Sequence, residues 1–316
     1  MIDSLLSPPI LFFFLGVAAT VIASDLEVPQ PIAKLLSLYL LASIGFQGGV
    51  ELSHGTFSST STIILISLIA AFIVPIYSFF AWRLSVNVSN AAALSASYGS
   101  VSAVTFITAA SFLNDSAVLF SGAMVASLAL MESPAIVAGV TMNSIFGKNG
   151  GIALSARQLL REAFFNGSVV LLLGSLLIGY IGGDKGAAAM KPFTVDVFQG
   201  MLSLFLLDMG LIAAKRLSDL KRSGPSLIIT AILLPVVNAA FGIGIAYLAG
   251  LPVGDAFLFT ILCASASYIA VPAAIRFSIP NANATYYISL PLAVTFPFNI
   301  VVGLPVYFAI IKHLWS

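Results

Sequence analysis

Apolar residues run along this chain in long blocks separated by short polar interruptions. Residues 9–24, 63–82 and 227–249 each approach or exceed the roughly 20 apolar residues that carry a helix across a bilayer. Read in order, the blocks predict ten spans, at 8–24, 31–50, 62–84, 90–113, 117–145, 166–183, 194–214, 226–250, 254–277 and 284–311. The connections are short. Several hold turn signals: Gly-Gly-Asp at 182–184, Gly-Leu-Pro at 250–252 and Pro-Asn-Ala-Asn at 280–283. The longest, 147–165, carries Arg157, Arg161 and Glu162 on an amphipathic stretch over 153–165, which reads as an interfacial helix joining two halves.

Composition agrees with a membrane protein. Of 316 residues 59% are hydrophobic and 8% charged, where a soluble domain carries about 25% charged residues. The net charge of +1 points to no partner, and no basic patch suggests nucleic acid. The single cysteine, Cys263, excludes internal disulfides and thiolate metal clusters. No Lys or Arg precedes Lys34, so the first apolar block lacks the basic start of a signal peptide and is read as a retained helix.

Charge sidedness sets the expected orientation. Loops after odd-numbered spans hold Lys34, Arg83, Lys148, Arg157, Arg161, Lys215, Arg216, Lys221, Arg222 and Arg276; the other side holds Lys185, Lys191 and Lys312. By the positive-inside rule both termini lie outside the cytoplasm.

The two halves also resemble each other. Residues 35–45 read LLSLYLLASIG and residues 201–210 read MLSLFLLDMG, each in the second span of its half. Ser-Ala-Ser-Tyr occurs at 95–98 and again at 265–268, in the fourth span of each half, with Val101 and Val271 following in register. Pro134 and Gly139 pair more loosely with Pro297 and Gly303. Five spans is an odd number, so the second half enters the membrane the other way up, an inverted repeat of the kind many secondary transporters use. The expected organisation is a first repeat at 1–146, a cytoplasmic connection at 147–165 and a second repeat at 166–316.

Residues 95–105 crowd six polar side chains and Gly99 into a span that should be apolar. In hydrocarbon, backbone groups are released only where protein or a watery cavity receives them. Gly99 and Pro272 are the expected break points. A half-helix starting there would aim free N–H groups and a positive dipole end at an anion, while freed carbonyls and hydroxyls would suit sodium. Small residues that simply permit close helix packing are the other reading.

Glu132 and Asp208 stand within spans, where an ionised carboxylate costs at least ~2.5 kcal/mol at a helix centre. No Lys or Arg stands inside the core spans as an obvious ion-pair partner, so a bound cation or a proton is the expected compensation; a protonated acid bonded to a neighbouring helix is the alternative. Glu51, His54 and His313 read as interfacial, Arg276 as a loop charge, Asn238 and Asn299 as partners for backbone freed near prolines, and Trp82 and Trp315 as aromatic-belt residues.

The segments Leu-Leu-Ala-Ser-Ile-Gly-Phe-Gln-Gly-Gly from residue 40, Tyr-Gly-Ser-Val-Ser-Ala-Val-Thr at 98–105, Met-Glu-Ser-Pro-Ala-Ile-Val at 131–137, Ser-Ala-Ser-Tyr-Ile-Ala-Val-Pro-Ala-Ala-Ile-Arg at 265–276 and Ile-Pro-Asn-Ala-Asn at 279–283 resemble the sodium-dependent bicarbonate transporter family over nearly the whole chain. The resemblance implies a ten-helix, all-α membrane protein with a gate domain (spans 1, 2, 6 and 7) and a core domain carrying crossed, discontinuous fourth and ninth helices. It implies a symporter that takes up bicarbonate with Na+ by an elevator motion, as a homotrimer in a bacterial inner membrane with both termini periplasmic. Bicarbonate would meet Tyr98, Gly99, Ser100, Val101, Ser102, Ser267 and Tyr268, and sodium Ser97, Thr105, Glu132 and Ser265. A PII-type signalling protein on the cytoplasmic side is an implied partner, though the family's longer central loop is shortened here. Cyanobacterial members carry an acidic residue where Tyr268 stands, and hydroxyl- and glycine-bearing positions at Ala270 and Val271. Carriage of another small anion or carboxylate, and a passive anion channel, are the competing readings. An intramembrane enzyme lacks support, having no His-Glu-x-x-His and no paired catalytic aspartates.

Overall fold

The computed structural model describes residues 7–55, 57–147, 167–220 and 224–316. The expected interfacial helix at 153–165, with Arg157, Arg161 and Glu162, lies outside the described residues, as do Lys148, Lys221 and Arg222.

Among the described residues the regular structure is entirely helical. In chain order the helices are α1 (Pro8–Val21), α2 (Gln30–His54), α3 (Phe57–Arg83), α4 (Val88–Gly99), α5 (Ala103–Asp115), α6 (Ala123–Phe146) and α7 (Gly167–Lys191). There follow α8 (Phe198–Asp219), α9 (Pro225–Leu248), α10 (Val253–Ala264), α11 (Ala270–Ser278) and α12 (Ala284–Leu314). The last widens into π-helical turns at Pro291–Thr295 and Asn299–Gly303. Pro291, Pro297 and Pro305 remove backbone donors along it, a usual cause of such local departures from the α-helical ladder.

Seven helical stretches among the described residues are long and apolar enough to cross a membrane, and α1 and α10 are apolar but shorter. One of the seven, Gly167–Leu217, has 51 residues. At 1.5 Å per residue it would measure about 75 Å, over twice a hydrocarbon core of about 30 Å. It does not run straight. Gly183 takes φ 49° and ψ −149°, a conformation only glycine adopts cheaply, inside the Gly-Gly-Asp turn signal. A π turn at Pro192–Asp196 follows. Tyr39 and Gln47 of α2 hold this turn by donating to the carbonyls of Phe193 and Thr194.

Two helix pairs approach backbone to backbone through glycines. A Cβ on Gly16 of α1 would sit 2.2 Å from the Leu207 carbonyl oxygen of α8, and one on Gly210 would sit 2.1 Å from that of Phe13. A Cβ on Gly49 of α2 would sit 2.0 Å from the Leu176 oxygen of α7, and one on Gly179 would sit 2.0 Å from that of Phe46. This is small-residue packing of the kind that lets apolar helices associate where lipid offers no hydrophobic drive. Since α8 also packs on α2, the four helices run side by side in the order α1, α8, α2, α7.

Candidate functional site at two helix breaks

Two spans predicted to be interrupted are interrupted. Helices α4 and α10 each have 12 residues and each ends on a serine in nearly the same extended conformation: Ser100 at φ −86°, ψ 174° and Ser265 at φ −83°, ψ 171°. The first break is short, since α5 starts at Ala103 with Ser102 as its N-cap, the Ser102 hydroxyl accepting from the Thr105 N–H at 3.2 Å. The second runs from Ser265 to Ile269 before α11 begins.

The break points differ from those expected. Gly99 is the last residue of α4, and a Cβ on it would lie 2.4 Å from Pro75 Cβ, so this glycine seats α4 against α3. Pro272 sits in the first turn of α11, where the N–H it lacks would have had no partner in the helix. The repeated Ser-Ala-Ser-Tyr is also out of structural register. At 95–98 it is helical and buried, Ser95 bonding back to the Ala92 carbonyl at 2.9 Å; at 265–268 it forms the break itself. The two helix ends place Ser100 opposite Ser265 and Ser102 opposite Ser267.

The breaks bond to each other. The Ser267 N–H donates to the Ser97 carbonyl at 2.8 Å, and the Ser102 N–H donates to the Ser265 hydroxyl at 2.9 Å. Other helix-end carbonyls are met by asparagines, which reach distant helix ends rather than the backbone beside their own prolines. Asn299 donates to the Ala264 carbonyl at 2.9 Å and Asn238 to that of Tyr98 at 3.4 Å. Ser100 donates to the Glu132 carbonyl at 3.3 Å, tying the first break to α6.

Beside the breaks lies a cavity of about 60 Å³, several times the ~10–15 Å³ that one water needs. Among the sequence-predicted residues, Val101, Ser102, Ser267, Tyr268 and Glu132 line it. So do Ala103 and Val104 at the start of α5 and Ala270 at the start of α11. Their N–H groups have no acceptor within their own helices, so two positive dipole ends converge on the space. No Lys, Arg or His stands among the described wall residues.

The remaining predicted residues lie outside the wall. Tyr98 packs its ring 5.0 Å from Trp82 and shares a 2.7 Å hydrogen bond with Thr295. Ser97 donates to the Tyr287 carbonyl at 3.3 Å, Thr105 is buried behind the Ser102 cap, and Ser100 and Ser265 hold the breaks. Asp208 is 4% exposed on α8 and is not among the wall residues, and its Oδ2 has no hydrogen-bond partner among the described residues. Trp82, expected at an interface, is fully buried. Sequence reasoning missed the opposite wall: Ser37, Leu40 and Leu41 of α2, Ser168, Val169 and Leu172 of α7, and Phe205 of α8. The only signal for these was that Ser37, Leu40, Leu41 and Phe205 fall within the LLSLYLL and LSLFLL strings.

The profile of the Na+-dependent bicarbonate transporter superfamily matches residues 8–312. The chain belongs to that superfamily. No curated protein matches it closely enough to count as a relative. Membership agrees with a multi-pass membrane protein of transport function whose family name carries both sodium and bicarbonate.

Proposed function

We propose that this superfamily member imports bicarbonate together with sodium, binding both in the cavity beside the two breaks. One observation carries the reading: two helix N-termini and the Glu132 side chain line a single small cavity whose described walls hold no fixed cation. Backbone N–H groups and the hydroxyls of Ser102, Ser267 and Tyr268 suit an oxyanion, and Glu132 calls for a mobile positive charge nearby. Cargo and coupling ion then neutralise each other, which makes joint binding cheaper than either alone. A cavity this small favours a small anion over a larger carboxylate.

The proposed architecture is ten crossings in two inverted five-span halves, with both termini outside the cytoplasm of a bacterial inner membrane. The mirrored glycine contacts support it. Gly210 faces the Phe13 oxygen and Val17 nitrogen of α1 as Gly49 faces the Leu176 oxygen and Tyr180 nitrogen of α7, and Gly16 and Gly179 reciprocate three residues along. The rows α1, α2, α7 and α8 would act as the gate against which the remaining helices slide. Trimer formation and a PII-type cytoplasmic partner stay part of the reading that the family resemblance supplies.

Uptake of labelled bicarbonate into proteoliposomes, with and without an inward sodium gradient and with competing anions, tests the proposal. Saturable, gradient-driven accumulation is the expected result. Uptake that ignores sodium would overturn the symport, and flux that never exceeds equilibrium would indicate a channel.

A further inference from the structure

The half-helices α4 and α10 are each tied at both ends to the opposite repeat. At the break end, the α4 carbonyl of Ser97 receives the Ser267 N–H at 2.8 Å, and α10 is followed by Ser265, whose hydroxyl receives the Ser102 N–H at 2.9 Å. At the far end, each helix uses its third residue. Asn90 of α4 accepts the Asn283 N–H on its Oδ1 at 2.7 Å, and Asp255 of α10 accepts the Ser121 N–H on its Oδ1 at 2.7 Å. Asn283 caps α12 just beyond the α11–α12 turn, and Ser121 lies just ahead of α6 in the α5–α6 turn. The two clamps therefore occupy matching places, Asn90 and Asp255 both lying ten residues ahead of the serines that close their helices.

We infer that Asp255 and Asn90 are positioning residues, which set the depth of the two breaks relative to each other by gripping the opposite repeat's helical turn. The mechanical argument is short. A half-helix of 12 residues is about 18 Å long and stiff along its axis. With Asp255 held by Ser121, Ser265 cannot slide along the axis away from Ser102, because both partners belong to the hairpin of α5 and α6. That hairpin also carries Glu132, so the clamp fixes the second break against the acid as well. The carboxylate of Asp255 is 4% exposed, and its buried, charge-assisted bond is the stronger of the two clamps. A Cβ on neighbouring Gly254 would lie 2.1 Å from the Leu119 carbonyl oxygen, so this end of α10 already touches the turn it grips.

The inference rests on the proposed cargo only for its transport readout, so the test has two arms. In proteoliposomes, Asp255→Ala should raise the apparent KM for both bicarbonate and sodium about tenfold or more, the scale on which one lost charge-assisted hydrogen bond begins, with Vmax within about twofold. Asp255→Asn keeps an acceptor oxygen and should restore most of the affinity. Equal behaviour of the Ala and Asn variants, or a loss of Vmax at unchanged KM, would overturn the positioning role. In the second arm, amide hydrogen exchange of the purified chain needs no cargo. Asp255→Ala should speed exchange at 265–269 and 102–104 as well as at 116–122, whereas an effect confined to 116–122 would show that the clamp does not reach the breaks. Should Asp255→Ala fail to fold, Asn90→Ala at the exposed clamp is measured instead, with faster exchange at 265–269 expected and an effect confined to 279–285 overturning the idea. A wild-type chain that transports no bicarbonate would sink the proposed function and leave the exchange arm intact.

Discussion

The two breaks do the same geometric job with different stiffness. The first spans Ser100 to Ser102, with every residue no more than 5% exposed, and it ends in a side-chain cap on the 13-residue α5. The second spans Ser265 to Ile269, enters the nine-residue α11 without a side-chain cap, and leaves Ile269 56% exposed on the cavity wall. Ser267 reaches the start of α11 only through a 3.4 Å contact to the Val271 N–H. Under the proposed function the contrast is a division of labour: the first break would be a fixed template for the anion, and the second the wall that adapts around it.

The largest test of that contrast is at Gly99. Valine there would force α3 and α4 apart, because the added Cβ meets Pro75 at 2.4 Å and the neighbouring backbone cannot move locally. Gly99→Val should lose most folded protein, read as the monodisperse yield after detergent extraction. A well-folded variant with only a raised KM would return Gly99 to the anion pocket and remove the rigidity assigned to the first break. Next in size is Glu132→Gln, which removes the acid that both breaks share. Sodium stimulation of uptake should fall about tenfold or more while folded yield is kept. Unchanged stimulation would take the cation away from this cavity.

How far these sites were legible before the fold was known follows from the range of the interactions. Long apolar blocks have few uses, so the helices could be read from local sequence. Polar crowding at 95–105 located the first break to within a few residues. The exact residues of either break were not readable, because they depend on which distant groups receive the freed backbone: Ser97 for Ser267, Ser265 for Ser102, Asn299 for Ala264. The identical Ser-Ala-Ser-Tyr strings invited an alignment that the helix ends contradict, with the same four residues helical in one half and non-helical in the other. The α2 and α8 strings were offset too: their shared Leu-Ser-Leu places Ile44 opposite Gly210, whereas the backbone contacts pair Gly49 with Gly210, five residues on. Chemistry of a kind, and not identity of letters, was conserved between the halves in this fold: a serine closing each half-helix, and another serine two residues later.

Those paired serines sharpen the comparison directly. Ser102→Ala removes the 3.2 Å N-cap bond of α5 and should cost about 1 kcal/mol, whereas Ser267→Ala removes a longer contact and should cost a few tenths. Thermal unfolding in one detergent, with both variants side by side, reads the difference as a lower midpoint for Ser102→Ala. Equal midpoints would mean that the first break is no better fixed than the second.

The smallest expected effect lies at Ile269, and it is the one that separates adaptability from mere looseness. Its side chain is over half exposed yet stands on the cavity wall, so trimming it to alanine removes little packing and should leave the unfolding midpoint within about 1 °C, in line with a surface change of under ~0.5 kcal/mol. If the second break closes around bound anion, Ile269 becomes covered during transport, and Ile269→Ala should raise the apparent KM for bicarbonate about twofold to threefold at constant Vmax. The physical reason is that apolar area buried only in the loaded state contributes to binding and not to the empty fold. An unchanged KM would mean that Ile269 stays exposed throughout the cycle. The second break would then be a static gap, and the asymmetry between the two halves would carry no consequence for the cargo.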